Sequence, residues 1–165
     1  MREIKLTRGL VALVDDADYE QLSAFKWQAQ SAGVARDNWY AVRSVQRGTK
    51  RVTLGMHRAI MEPGPGLEVD HKDRNGLNNQ RENLRPCSHH LNGGNRLCAT
   101  SSSGYRGVYW HKTHKKWRAR ARVKNKYIHI GHFDDPREAA IARDKFVAPI
   151  FGEFAILNFP DGVDA

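Results

Sequence analysis

Val69-Asp70-His71-Lys72-Asp73-Arg74-Asn75-Gly76-Leu77-Asn78-Asn79-Gln80-Arg81-Glu82-Asn83-Leu84-Arg85 is the stretch on which the fold of this chain turns. It starts as an apolar strand end, runs through a loop crowded with the Asn, Asp and Gly that favour turns, and returns to a strand near Leu84. Ser88 is then a reasonable N-cap for a short helix carrying Asn92 and Asn95, which share a helix face. The predicted order is strand, long loop, strand, helix. Neighbours on a strand point to opposite faces, so Asp70 and His71 serve one site only if the strand ends or twists there. An Asp-His pair so placed supplies a hard oxygen ligand and an imidazole base together. The same residue types also suit a plain strand-end turn, and taken alone they leave both possibilities open.

Two breaks divide the chain into segments 1–62, 63–100 and 101–165. Glu62-Pro63-Gly64-Pro65-Gly66 cannot continue a helix or a central strand, and Thr100-Ser101-Ser102-Ser103-Gly104 is a small polar linker. In the first segment, Ile4, Leu6 and Leu10 to Val14 predict a hairpin, and Asp15, Asp16 and Asp18 are placed to cap a following helix. Strands are expected at Trp39–Arg43 and Arg51–Leu54 around an Arg47-Gly48 turn, with a short helix over Met56–Met61. In the third segment, Tyr105–Trp110, Lys116–Val123 and Tyr127–Ile130 read as strands. A helix follows from Pro136, with an apolar stripe at Ala139, Ala140, Ala142, Phe146 and Val147.

Composition narrows the partner. Lys and Arg number 27 against 18 Asp and Glu, a net charge of +9, which makes nucleic acid the default partner. The longest apolar runs fall far short of a membrane span and no secretory signal leads the chain, so no membrane partner is expected. Two cysteines, Cys87 and Cys98, are too few for a disulfide framework, which favours a reducing cytoplasm. Cys87, His89 or His90, and Cys98 match no zinc-knuckle spacing, so structural zinc is not expected there.

Alternation also gives the third segment a face. Arg118, Arg120 and Arg122 project from one side of a strand, while Ala119, Ala121 and Val123 turn toward the helix. Arginines with Tyr127 and His129 on one sheet face suit a DNA groove; a solvated basic face is the plainer alternative.

The segment 57–96 resembles the HNH endonucleases, in particular the phage group of intron-type homing and nicking enzymes. The resemblance rests on His57-Arg58, Val69-Asp70-His71, Asn75-Gly76, Asn78-Asn79, Glu82-Asn83-Leu84-Arg85, Asn92 and Asn95-Arg96. It implies an α+β fold with a ββα-metal core, completed by the strands and helix of 1–62. It also implies one Mg²⁺ (or Mn²⁺) held by Asp70 and Asn92, with His71 as general base and Asn83 fixing the loop and orienting His71. The substrate implied is double-stranded DNA, nicked or cut through, with no small-molecule substrate, in the cytoplasm of a bacterial host. Gly93-Gly94 weakens the helix behind Asn92, and Asn95 is the alternative ligand.

Residues 101–165 are similar to the Apetala-type, ethylene-response-factor DNA-binding domain. The match lies in Tyr105-Arg106-Gly107-Val108, Trp117, Gly131, Phe133-Asp134, Glu138-Ala139-Ala140 and Ala155 to Phe159. It implies a three-stranded antiparallel sheet packed on one helix, with the sheet in the major groove. Arg106 and Arg122 match DNA-contacting arginines of that domain. Tyr109, His111, Arg120, Tyr127 and His129 occupy contact positions with different residue types, and Trp117 and Phe133 are expected in the core. A non-catalytic DNA-binding regulator and an RNA-binding protein are the alternatives.

Overall fold

The structure, a computed structural model, describes residues 1–31, 38–92 and 102–162. Among these residues the chain is α+β, with several small antiparallel sheets and a few helices. It forms two compact units, Met1–His89 and His90–Ala165. No helix among the described residues is long and apolar enough to cross a membrane.

In the first unit, β1 (Arg2–Lys5) pairs with β2 (Val11–Val14), as the apolar alternation predicts, and α1 (Asp16–Ser23) follows. Asp15 does not cap this helix through its side chain. Its carboxylate instead accepts the Arg81 backbone N–H at 2.8 Å, and the buried Asp18 takes the Arg81 guanidinium in a two-pronged pair at 2.8 and 2.7 Å. The N-cap acid and an acid in the first turn of α1 therefore brace the long polar loop. A second sheet orders β3 (Gln28–Ser31), β4 (Trp39–Arg47) and β5 (Lys50–Gly55) antiparallel. β3 carries no strand signal in the sequence, because Gln28-Ala29-Gln30-Ser31 has no β-branched or aromatic residue. It forms by pairing with β4, and Thr7 Oγ1 accepts its Ala29 N–H at 3.0 Å. The helix α2 (Met56–Met61) falls where predicted. β6 (Leu67–His71) and β7 (Leu84–Ser88) then pair antiparallel, and α3 (His89–Asn92) begins at once after β7. One hydrophobic cluster joins Val14, Leu22, Trp27, Met56 and Ile60 to Val69 and Leu84, so segment 1–62 supplies most of the core beneath β6 and β7.

In the second unit, β8 (Val108–His111), β9 (Lys116–Val123) and β10 (Lys126–Phe133) form an antiparallel sheet with β9 in the middle. The helix α4 (Pro136–Phe151) starts at Pro136, with Asp135 as N-cap accepting the Arg137 N–H at 2.8 Å. Its Ala139 and Ala140 are fully buried against Val108 and Ala119. β8 starts three residues later than predicted because Gly107 turns the chain at φ +77°, where a Cβ would sit 2.6 Å from the Arg120 carbonyl oxygen. β10 runs on to Phe133 through a register shift between His129 and Gly131, which ends the simple alternation visible in the sequence.

The polar clamp on α4 has no periodic signal. Arg143 and Asp144 are both buried and paired at 2.8 Å. Asn158 donates from Nδ2 to Asp144 at 3.0 Å, while its Oδ1 accepts the Arg106 N–H at 2.7 Å. Asn158→Ala is expected to lower the stability of the protein by about 2 kcal/mol in urea unfolding, because buried polar groups lose their partner; no measurable change would contradict this clamp.

Candidate functional site

β6 ends on His71, and Asp70 and His71 are both buried at that strand end, where the ladder to β7 stays regular through Asp70↔Arg85 and His71↔Leu84. Asp70 pairs across the ladder with Arg85. Arg85 donates from Nε and Nη2 to Asp70 Oδ2 at 3.0 and 2.8 Å, and both residues are 8% exposed. This charge-assisted pair fixes the carboxylate in place.

His71 has a different partner. Its Nε2 lies 3.4 Å from Oδ1 of Asn79, a residue with no exposed surface. Asn79 is itself anchored, because its N–H donates to the Leu13 carbonyl of β2 at 2.8 Å and its Nδ2 to the Gly76 carbonyl at 3.4 Å. With the amide nitrogen so committed, Asn79 presents Oδ1 to Nε2, an arrangement that favours the tautomer with the proton on Nε2 and the lone pair on Nδ1.

Asn83 ties the loop together. It accepts the Asp73 N–H at 3.0 Å and donates to Asp73 Oδ1 at 2.9 Å and to the Asn78 carbonyl at 2.8 Å. Asp73 also accepts from the Asn75 N–H and the Asn78 side chain, each at 2.8 Å. A lattice of side-chain bonds thus replaces regular structure across residues 72–80, ahead of the 3-10 turn Arg81–Asn83. Gly76 permits a close approach here: a Cβ would lie 2.5 Å from both the Trp39 carbonyl and the Tyr40 ring. The left-handed turn residue is Arg74, at φ 65°.

His57 completes the buried surroundings. Its ring stands edge-on to His71 at 5.1 Å and to Tyr40 at 5.9 Å. Its Nδ1 is buried with no hydrogen-bond partner among the described residues. Burial first, then the His71 and Arg58 charges, push the His57 pKa down to about 3, and burial also lowers that of His71 despite its bond to Asn79. The unfolded chain takes up a proton on His57 near pH 6.5, whereas the folded one resists until about 3. Stability therefore rises with pH through that window and levels off above it. Between pH 6 and 4.5 we expect a loss of about 2 kcal/mol through His57 alone, at about 1.4 kcal/mol per unit, and His57→Gln should flatten the profile by that amount. An unchanged slope in the variant would refute this.

Asn92 closes α3 and lies beyond the boundary of the first unit. Gly93, Gly94, Asn95 and Cys98 lie outside the described residues. Cys87 is buried in β7, His89 Nδ1 meets Glu68 at 2.7 Å, and His90 Nδ1 accepts the Lys124 N–H at 3.2 Å. As donor chemistry, a fixed carboxylate beside an imidazole with a committed Nε2 suits a hard divalent ion and its water. Arg85 and Asn79 have no role that the sequence reveals; only the strand register and the buried anchor on β2 give them one.

On the second unit, the sheet register puts Tyr109, His111, Arg118, Arg120, Arg122, Tyr127, His129 and His132 on one face. Arg120 lies over the rings of Tyr109 and Tyr127, at 4.3 and 4.4 Å, and Arg122 over Tyr127 at 5.9 Å. The Nε atoms of Arg118 and Arg120 are buried without hydrogen-bond partners among the described residues. Stacked, pre-ordered guanidinium groups of this kind suit phosphate or base edges. Arg106 sits in the loop before β8, held by Asn158. Trp117 and Phe133 pack against the core, as expected. No family model, curated protein or solved structure matches the chain.

Proposed function

We propose that this protein is a metal-dependent DNA endonuclease of the HNH type, with a ββα-metal core over β6, β7 and α3. The observation that carries the proposal is the buried Asp70-His71 pair at the end of β6, each side chain held by its own partner, Arg85 and Asn79. His71 Nδ1 takes the proton of a water molecule as its oxygen attacks the scissile phosphorus. The bond from phosphorus to the 3′ oxygen breaks, and that oxygen takes a proton from solvent water, leaving a 3′-hydroxyl and a 5′-phosphate. By the resemblance, Asp70 and Asn92 would hold one Mg²⁺ or Mn²⁺, which when bound supplies charge stabilisation at the phosphate and the leaving oxygen. Asn83 acts on His71 at one remove, by holding Asn78 and so the adjoining Asn79.

The arginine face of the second unit supplies the DNA address. Its stacked guanidinium groups and the net charge of +9 support double-stranded DNA as partner. Replacing Arg118, Arg120 and Arg122 together with alanine is expected to reduce the slope of log affinity against log salt by about 2–3, near 0.9 for each phosphate that is no longer neutralised. An unchanged slope would remove this face from the interface.

Incubation of supercoiled plasmid with the protein tests the proposal. Relaxed or linear DNA is expected with Mg²⁺ and none with excess EDTA. Tight binding without cleavage in Mg²⁺, Mn²⁺ and Zn²⁺ would favour the DNA-binding regulator, and preference for RNA over duplex DNA in competition would favour an RNA-binding protein.

A further inference from the structure

The second unit also gathers histidines that the nuclease chemistry does not use. His111 ends β8, His114 lies in the turn to β9, and His132 comes from β10 on the opposite edge of the sheet. One ligand nitrogen from each falls within 4.8 Å of the other two. Their ring centroids stand 4.6, 4.7 and 5.2 Å apart.

The backbone is shaped to allow this. His129 and His132 are three residues apart, which in a regular strand places them on opposite faces. The register shift between His129 and Gly131 changes that parity, and His132 pairs with Arg118 on the same face as His129 and Arg120. The shift is a β-bulge of the kind that re-aims a side chain at a site. His132 Nε2 is buried with no hydrogen-bond partner among the described residues, which costs free energy unless something binds there.

We propose that His111, His114 and His132 form a site for a borderline-soft divalent transition ion, Zn²⁺ or Co²⁺, distinct from the Asp70 site. Three neutral imidazoles with no carboxylate among them select such ions over Mg²⁺. On a tetrahedral ion with metal–nitrogen bonds of about 2.0–2.1 Å, the ligand nitrogens stand about 3.3 Å apart, so the rings must close by roughly 1.5 Å. His114 is exposed and able to turn. Among the described residues the bond given up, where His111 Nδ1 is the ligand, is a long one from the His114 backbone N–H at 3.3 Å. The fourth position is left to water or an incoming oxygen ligand. The ion would join the β8–β9 turn to β10 and add positive charge to the arginine face. His111 and His114 meet across the turn after β8, and the bulge in β10 brings His132 to them.

Co²⁺ titration of the full-length protein, followed by visible absorption, tests the site. One equivalent should bind with the intense bands of a tetrahedral centre and be displaced by Zn²⁺ but not by excess Mg²⁺. His114→Ala and His132→Ala should each weaken binding at least about 100-fold, more than the usual loss of an outer-shell partner. Because His114 lies in an exposed turn, its variant should keep the wild-type Tm without metal and lose only the rise in Tm that Zn²⁺ gives. Cys98→Ser should bind as wild type does. No binding at micromolar Co²⁺, binding unaffected by either histidine variant, or binding abolished by Cys98→Ser would overturn the proposal. None of these readouts depends on cleavage, so the site stands or falls separately from the nuclease.

Discussion

His71→Ala is expected to lower the single-turnover rate of DNA cleavage about 10²–10⁴-fold, the usual contribution of a positioned general base, while leaving DNA affinity within about twofold. The imidazole sits at the end of β6 and its Nε2 is engaged by Asn79, so Nδ1 is the atom whose loss matters. Added imidazole should restore part of the rate, because the cavity left by the ring admits a small base. Asn79→Ala acts through His71. It should lower kcat without raising KM and displace the acid limb of the pH profile, because the bond to Asn79 favours protonated His71. A merely structural role for Asn79 would leave that limb in place. Full activity in His71→Ala would remove the assigned base.

The second large effect is on stability. Arg85→Met should destabilise the protein by about 3–5 kcal/mol, the range seen when one partner of a buried ion pair is removed. Asp70 and Arg85 are each only 8% exposed, so water does little to compensate. Pairing the change with Asp70→Asn removes the stranded charge, and most of the stability should return. Cleavage should not, because the carboxylate that would hold the ion is gone. Urea unfolding of both variants separates the two roles. A loss below about 1 kcal/mol in Arg85→Met would mean that the pair contributes little to holding β6 on β7.

The legible part of the fold is the part written in periodicity. Arg118, Arg120 and Arg122 alternate with buried alanines, and the structure keeps that division; Pro136 and Met56 open helices where expected. What the sequence hides is set by partners distant along the chain. β3 exists because β4 offers a ladder, and Asp15 leaves its helix cap for Arg81, 66 positions away. At the candidate site, the Asp-His pair and the Asn-rich loop are readable as residue types. Their partners are not: Arg85 meets Asp70 only through the register of β6 on β7, and Asn79 reaches His71 only because Leu13 of β2 holds it. The three-histidine cluster lies further from view, since it depends on one shifted residue in β10.

The most direct measurement is a side-by-side plasmid assay at equal DNA occupancy, comparing wild type, wild type with EDTA, and His71→Ala, with end-group analysis of the products. Nicked or linear DNA bearing 5′-phosphate and 3′-hydroxyl ends from wild type in Mg²⁺ alone is the expected result. Equal cleavage by all three, or no cleavage by fully bound wild type in any divalent metal, would contradict Asp70 and His71 as the centre of a metal-dependent nuclease.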